Sequence, residues 1–455
     1  MTPQDHPAPE PFPVPTVSAA SPALNEATVI GEEMSFTGTV AVGDRPKVSA
    51  LYIWLMVLAT FGAMMALVAP IGYSLSVLVS RIAPGHDEYL GYVTGVGSLV
   101  VVLLGPIIGI LSDRTRSRFG RRRPWLLGLT LIGLTGLVIV ATAPNIGIAI
   151  AGWAVTQFGF GIAALQLTSS LGDRLPESQR GKVAGLNGVA VMVAPIFGVV
   201  LASAFAGTSL LLFLVPGIPG AILILLFVIF IKEPDGRGFP TRPKASVRSF
   251  LAGYGYNVKK YPDFSWNWLG RFTFNFGVTM ATTFTTFFFA SKLGIPVDEI
   301  GGIIAITALV GIAATVGGAA LSGFLSDRLK RRKSFIVVAG LLFAAGTTVS
   351  ALAPDFTLLM IGLFAMNLGL GIFSAVDGAL MLDVLPEQDT EAGRFVAIAQ
   401  FSTSIPQFAA PLFAPVVLLW GASAGESNYP LLYVVAGVLA LIGGLIILFK
   451  VKSVR

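Results

Sequence analysis

The 455-residue chain reads as an all-α membrane protein, with twelve transmembrane helices in two pseudo-symmetric six-helix bundles. Its apolar composition, the placement of its lysines and arginines, and a repeat between its halves each require part of that reading. Hydrophobic residues make up 54% and charged residues 12%, against about 25% charged in a soluble domain. Mean hydropathy is +0.81. Apolar runs longer than the roughly 18 residues that signal a membrane span recur from Leu51 onward. A soluble globular enzyme is excluded. The absence of cysteine excludes disulfide frameworks, thiolate zinc sites and cysteine nucleophiles. His6 and His86 alone cannot build a histidine-rich metal site.

Residues 1–46 differ from everything after them. They carry Pro3, Pro7, Pro9, Pro11, Pro13, Pro15, Pro22 and Pro46, several acids and no long apolar run. The basic start and apolar middle of a signal peptide are missing, so a disordered cytoplasmic tail is expected. Twelve apolar spans follow, near 51–79, 88–112, 125–143, 146–172, 182–206, 209–231, 265–291, 299–325, 334–353, 356–382, 394–420 and 430–449. A β-barrel would show short alternating segments, whereas these runs are long and nearly continuous. The expected division is an N-terminal bundle over 47–231, a linker over 232–264, a C-terminal bundle over 265–450, and a short C-terminus over 451–455.

With the N-terminus in the cytoplasm, all but three of the 30 basic residues fall on inside segments. The exceptions are Arg81 and Lys292 outside and Arg271 within a span. Short loops biased this strongly set topology, because Lys and Arg resist translocation. Both termini are therefore expected in the cytoplasm of a multi-pass cell-membrane protein. The positive charge is a topology signal, and no nucleic-acid partner is expected. Within the linker, Val247, Phe250, Leu251, Tyr254 and Val258 recur at helical spacing beside Arg248, Lys259 and Lys260. That pattern fits either a helix lying on the membrane surface or a plain connection.

The second half echoes the first. Gly109-Ile-Leu-Ser-Asp113-Arg114 reappears as Gly323-Phe-Leu-Ser-Asp327-Arg328. Gly159-Phe-Gly161-Ile162 and Asp173-Arg-Leu175-Pro176-Glu177 reappear 210 residues later as Gly369-Leu-Gly371-Ile372 and Asp383-Val-Leu385-Pro386-Glu387. Chance similarity between apolar helices supplies glycines, but not the Asp, Leu, Pro and Glu as well. Two homologous bundles follow. Parallel halves of this kind hold a solute between them near the midplane and rock to expose it to each side in turn.

After the second span the chain reads Gly105-Pro-Ile-Ile-Gly109-Ile-Leu-Ser-Asp113-Arg114-Thr-Arg116-Ser-Arg118-Phe-Gly120-Arg121-Arg122-Arg123-Pro124-Trp125. Gly105 and Gly109 share a helical face that admits a neighbouring helix. Asp113 can accept from arginines or sit at a helix N-terminus. The arginines alone would serve topology, but the same Asp-Arg arrangement in both halves suggests an inside gate. This run resembles the signature loop of the major facilitator superfamily, G-x-L-x-D-R-x-G-R-R, with a longer insert. Its Ser-Asp-Arg-x-x-Ser-Arg-Phe-Gly-Arg-Arg-Arg-Pro form is similar to the loop of sucrose–proton symporters and of glycoside–pentoside–hexuronide cation symporters. The resemblance implies the major facilitator fold over about 50–450. It also implies a cytoplasmic gate made of Gly109, Asp113, Arg114, Arg121 and Arg122, with Gly323, Asp327 and Arg328 as counterpart. The sugar–cation symporters tend to place acids within the early helices. Here spans one to six hold no internal charge before Asp173, so any coupling site must differ.

Two ionisable residues lie well inside spans, Arg271 in the seventh and Asp377 in the tenth. Facing lipid, each would cost about 2.5–3.5 kcal/mol on insertion scales. Their distances from the inner helix ends are similar, so they can pair. A static pair or a snorkelling Arg271 is the plain reading, and Asp377 as the proton-coupling acid is the functional one. Candidate solute ligands are Gln157, Gln166, Asn187, Asn275, Asn367, Gln400 and Gln407, with Trp153, Tyr73 and Phe276 as aromatic faces. Amides also tie helices together at about 0.6 kcal/mol each.

The function expected is secondary active transport of a small polar solute, with sugars or glycosides favoured, coupled to a proton or another cation. A monomer in the bilayer with no cofactor, no metal and no catalytic residue is expected. A proton-driven exporter of amphipathic compounds is an alternative, in which Phe284, Phe287, Phe288 and Phe289 would face the ligand rather than lipid. A solute sensor derived from a transporter is another. No nucleophile–base set, metal cluster or P-loop is present, so an enzyme is not expected and gradients must supply the energy.

Overall fold

A computed structural model describes residues 46–233, 235–238, 255–387, 391–422 and 427–453. Of the expected tail only Pro46 is described, and the centre of the expected surface helix lies outside the described residues. Eleven helices there are long and apolar enough to cross a membrane. They are α1 (Ala50–Ile82), α2 (Tyr89–Arg114), α3 (Arg123–Ala141), α4 (Ile146–Arg174), α5 (Glu177–Ser203), α6 (Ser209–Phe230), α8 (Gly301–Leu329), α9 (Arg332–Leu352), α10 (Phe356–Asp383), α11 (Ala392–Leu419) and α12 (Tyr429–Lys450). The seventh span is α7 (Pro262–Thr283), continued after a break at Phe284 by Thr285–Leu293. Asn267, Arg271 and Asn275 make α7 less apolar than its neighbours. It nevertheless packs along α11 and α12 among the other helices.

Local chemistry sets the helix ends. The side chains of Ser49, Asn145, Asp355 and Asn428 cap α1, α4, α10 and α12 by accepting from backbone N–H groups in the first turn. Two helices carry an inserted π turn, Pro70–Ser74 in α1 and Gln157–Gly161 in α4. Such turns are frequent at functional positions because they re-aim the side chains around them. Tyr73 and Gln157 lie on them.

Packing repeats between the halves. In the first, α1 packs on α5 and α6, α3 on α4 and α6, and α2 on α4. In the second, α7 packs on α11 and α12, α9 on α10 and α12, and α8 on α10. The same close approach recurs as well. A Cβ on Gly62 would lie 2.4 Å from the Gly220 carbonyl oxygen, and one on Gly277 would lie 2.3 Å from that of Ala436.

The halves meet along α2–α11 and α5–α8. One end of the molecule carries the start of α1, the α2–α3 loop and the end of α12, and is here called the basic face. At the opposite, far face, Tyr73 donates to the Asp298 carbonyl at 2.5 Å and Thr286 to that of Gly72 at 2.5 Å. Arg81 lies 3.6 Å from the Asp298 carboxylate, and Tyr429 donates to Asp87. Just inside, the backbones touch: a Cβ on Gly91 would lie 2.2 Å from the Pro411 carbonyl oxygen. The far face is closed.

The phenylalanine run departs from both expectations. Phe284, Phe287, Phe288 and Phe289 are at most 2% exposed, and Phe288 stacks on Tyr433 at 3.9 Å. They are core residues at the α7 break, facing neither lipid nor an open ligand space.

Candidate functional site

Arg122 is the centre of the first-half cluster. Its guanidinium donates to Asp173 at 2.8 Å, to Gln166 at 2.8 Å and to Asp113 at 3.2 Å, and it is 6% exposed. The loop delivers it through Gly120, whose φ of +95° suits a residue without Cβ. A Cβ there would strike Glu233, whose carboxylate accepts the Arg122 backbone N–H at 2.9 Å. The cluster thus joins the ends of α2, α4 and α6 to the start of α3. Arg121 flanks it, 3.5 Å from Asp173. Arg114 is exposed. Gly105 packs on Leu165 of α4, and Gly109 is buried.

In the second half Arg332 bonds Asp383 and the Ala379 carbonyl, and lies 3.5 Å from Asp327. Arg332 therefore holds the place expected for Arg328, which is exposed. The 210-residue offset that maps Asp173 onto Asp383 also maps Arg122 onto Arg332. That offset was the signal for it. Gly323 faces open space, whereas its first-half counterpart Gly109 is buried.

Deeper in the second half, α7 and α10 bring Arg271 and Asp377 together, with Nε 2.9 Å from Oδ2 and both side chains 3% exposed. Phe274 stacks on Phe373 at 3.6 Å nearby on the same two helices, which keeps them in register. An isolated charge at this depth would be expensive, and the pair offsets that cost.

The amides separate by role. Gln166 belongs to the Arg122 cluster. Tyr73 belongs to the far-face closure. The Asn367 side chain donates to the Leu363 carbonyl, and Thr315 donates to the Asn367 backbone carbonyl at 3.2 Å, tying α10 to α8. Asn275 donates to the Arg271 carbonyl of its own helix. Gln157 is buried on the π turn of α4, where its side chain and Trp153 cover Gly97 of α2. Trp153 Nε1 and both amide atoms of Asn187 are buried without hydrogen-bond partners among the described residues. Gln400 is partly exposed on α11 and Gln407 exposed. A separate cavity of about 590 Å³ opens at the basic face between Tyr256, Lys260, Tyr261, Glu387, Arg394 and Phe395. Its walls come from the linker and second half alone. Lys260 there holds the Glu387 carboxyl below the usual range.

The family model of the Major Facilitator Superfamily matches residues 50–323 and 313–455. The chain belongs to this superfamily. Among solved structures, the nucleoside transporter NupG aligns over 89% of this chain and 100% of its own, with TM-score 0.71 and 12% identity. A bacterial homologue of the human lysosomal transporter Spinster, inward-facing and unoccupied, aligns over 90% and 98%, with TM-score 0.69 and 16% identity. At these identities both establish the superfamily fold alone. The general alpha-glucoside permease of Schizosaccharomyces pombe is 35% identical over 101 residues, which is 22% of this chain and 18% of the permease. The arabinose-proton symporter of Bacillus subtilis is 41% identical over 71 residues, 16% of this chain and 15% of the symporter. The matched stretches thus span less than a fifth of these relatives.

Proposed function

We propose that this superfamily member is a proton-coupled importer of a sugar or glycoside, working by alternating access between its two bundles. The observation that carries the proposal is the buried Arg271–Asp377 pair, the titratable unit deep in the second half. The sugar- and proton-named relatives support the solute class and the ion. The basic face is read as cytoplasmic, with both termini there in the cell membrane, and the protein acts as a monomer. In the closed-far-face state Asp377 bonds to the arginine. Rearrangement of α7 against α10 would exchange that partner for a proton, tying proton movement to the rocking of the bundles. The clusters around Arg122 and Arg332 hold each bundle's basic end together so that it rocks as a unit. Gln157, Trp153 and Asn187 are the proposed first-half solute contacts, because two of them have buried donors or acceptors still to be satisfied. Asn275 and Gln400 are proposed on the second-half side.

Uptake of labelled sugars into proteoliposomes, with and without an inward proton gradient, tests the reading. Gradient-dependent accumulation of one of them is the expected result. Accumulation of none, or dye efflux in its place, overturns it.

A further inference from the structure

Between α1 and α2 the chain reads His86-Asp87-Glu88, at the far-face seam and remote in sequence from Arg271 and Asp377. Tyr429, in the first turn of α12, reaches across from the other half to donate its hydroxyl to Asp87. Beside it Glu88 is 6% exposed. Its Oε1 lies 2.9 Å from His86 Nδ1, while its Oε2 is buried with no hydrogen-bond partner among the described residues. The His86 ring stacks on Tyr89 at 5.1 Å. One turn along α2, Gly91 abuts the Pro411 backbone, so the acidic stretch sits where the halves pinch together.

We propose that Asp87, with His86 and Glu88 beside it and Tyr429 across the seam, is a proton-operated latch that holds the far face shut when protonated and releases it when ionised. The inference rests on the alternating-access part of the proposed function, but not on the solute. Two adjacent carboxylates at a seam, Glu88 buried and Asp87 half-buried, repel once both are ionised, and Glu88 Oε2 has no hydrogen-bond partner among the described residues to relieve it. Opening the seam gives Asp87 water in place of Tyr429. Burial pushes the Asp87 carboxyl up, the Tyr429 hydroxyl opposes this, the Glu88 charge adds to it and His86 opposes it, with burial the largest influence. The closed state therefore binds the proton more tightly than the open, hydrated state. Closure is favoured in full at pH below the open-state value, and that preference is lost as pH rises through the raised closed-state value. An acidic far side shuts the face, and a neutral or alkaline one frees it.

Because the chain has no cysteine, one introduced thiol reports the seam. Leu412, which packs over Gly95, is replaced by Cys and labelled from the far side with a membrane-impermeant maleimide between pH 5 and 8. Each rate is divided by that of the SDS-unfolded protein at the same pH, which removes the thiol's own titration. Ser203→Cys on the α5–α8 seam serves as a second reporter should Leu412→Cys fold poorly. Normalised labelling should rise with pH, by up to about tenfold for each unit by which closure raises the carboxyl. Asp87→Asn should hold it low and flat, and Tyr429→Phe should raise it at acid pH. An unchanged pH profile in Asp87→Asn, a flat profile in the parent, or a profile abolished by Asp377→Asn instead would overturn the latch. No solute enters the assay, so a failed latch and a wrong solute assignment are told apart.

Discussion

Replacing Arg122 by Ala should destabilise the protein far more than the equivalent change at Arg332, although both arginines hold matching carboxylates. Arg122 is enclosed, with side-chain exposure of 7% against 15% and 24% for Asp113 and Asp173. Its loss takes the shared donor from Asp113, Asp173 and Gln166 at once, with Asp173 keeping Arg121 at 3.5 Å. Removing one partner of a buried pair costs about 3–5 kcal/mol. Residual exposure of the acids and the nearby Arg121 pull this to the lower end, about 3 kcal/mol. Arg332 is 25% exposed, Asp383 38% and Asp327 70%, a surface network worth about 0–1 kcal/mol. At about 2–4 °C per kcal/mol for a unit the size of one bundle, Arg122→Ala should lower the melting temperature by roughly 6–12 °C. Arg332→Ala should lower it by less than about 4 °C. Tryptophan-fluorescence melting of purified protein in detergent measures both. Arg122→Lys should fall between parent and Ala, since a lysine keeps the charge but cannot serve three acceptors in a plane. Losses for the two Ala variants equal within about 2 °C would refute burial as the source of the difference.

Other outcomes follow from the packing. Gly91→Ala would drive a methyl group into the Pro411 carbonyl, so it should open the α2–α11 seam, raise far-side labelling of nearby thiols and slow transport. Gly185 lies 18 residues, five helical turns, before Ser203, which a Cβ on Gly301 would touch at 2.3 Å, so both share the α5 face turned to α8. With open space around it in the far-face-closed state, Gly185→Leu should leave melting unchanged or slightly higher, yet slow net transport by obstructing closure of the basic face. A normal transport rate in that variant would count against the rocking motion. Gln166→Leu should lower stability by about 1–2 kcal/mol through loss of an Arg122 bond while leaving the apparent KM for solute near the parent's. A KM shift without a stability loss would return Gln166 to the solute site.

Much of this architecture was legible in the sequence because lipid imposes long apolar runs and the repeat is physical as well as textual. Ala50–Ile82 and its successors end within a few residues of the expected limits for that reason. The seventh span was harder. Its polar residues depress its hydropathy, and nothing in Thr283-Phe284-Thr285 announces a break. The Arg122 cluster was readable from its loop, whereas Arg332 was masked by Arg328, which continues the Asp-Arg pattern, and only the 210-residue offset marked it. Phe287 and Phe288 show a different limit, since a phenylalanine facing lipid and one facing protein satisfy the same composition. Gln166 and Gln157 are chemically identical, and only the fold gives one to an arginine and the other to a π turn.

Asp377→Asn, reconstituted in proteoliposomes, addresses the coupling claim most directly. The amide keeps the size of the side chain and one acceptor for Arg271 but cannot carry the exchangeable proton. Accumulation driven by a proton gradient should be lost while solute exchange at equal pH on both sides survives. Accumulation retained at the parent's level would contradict the account.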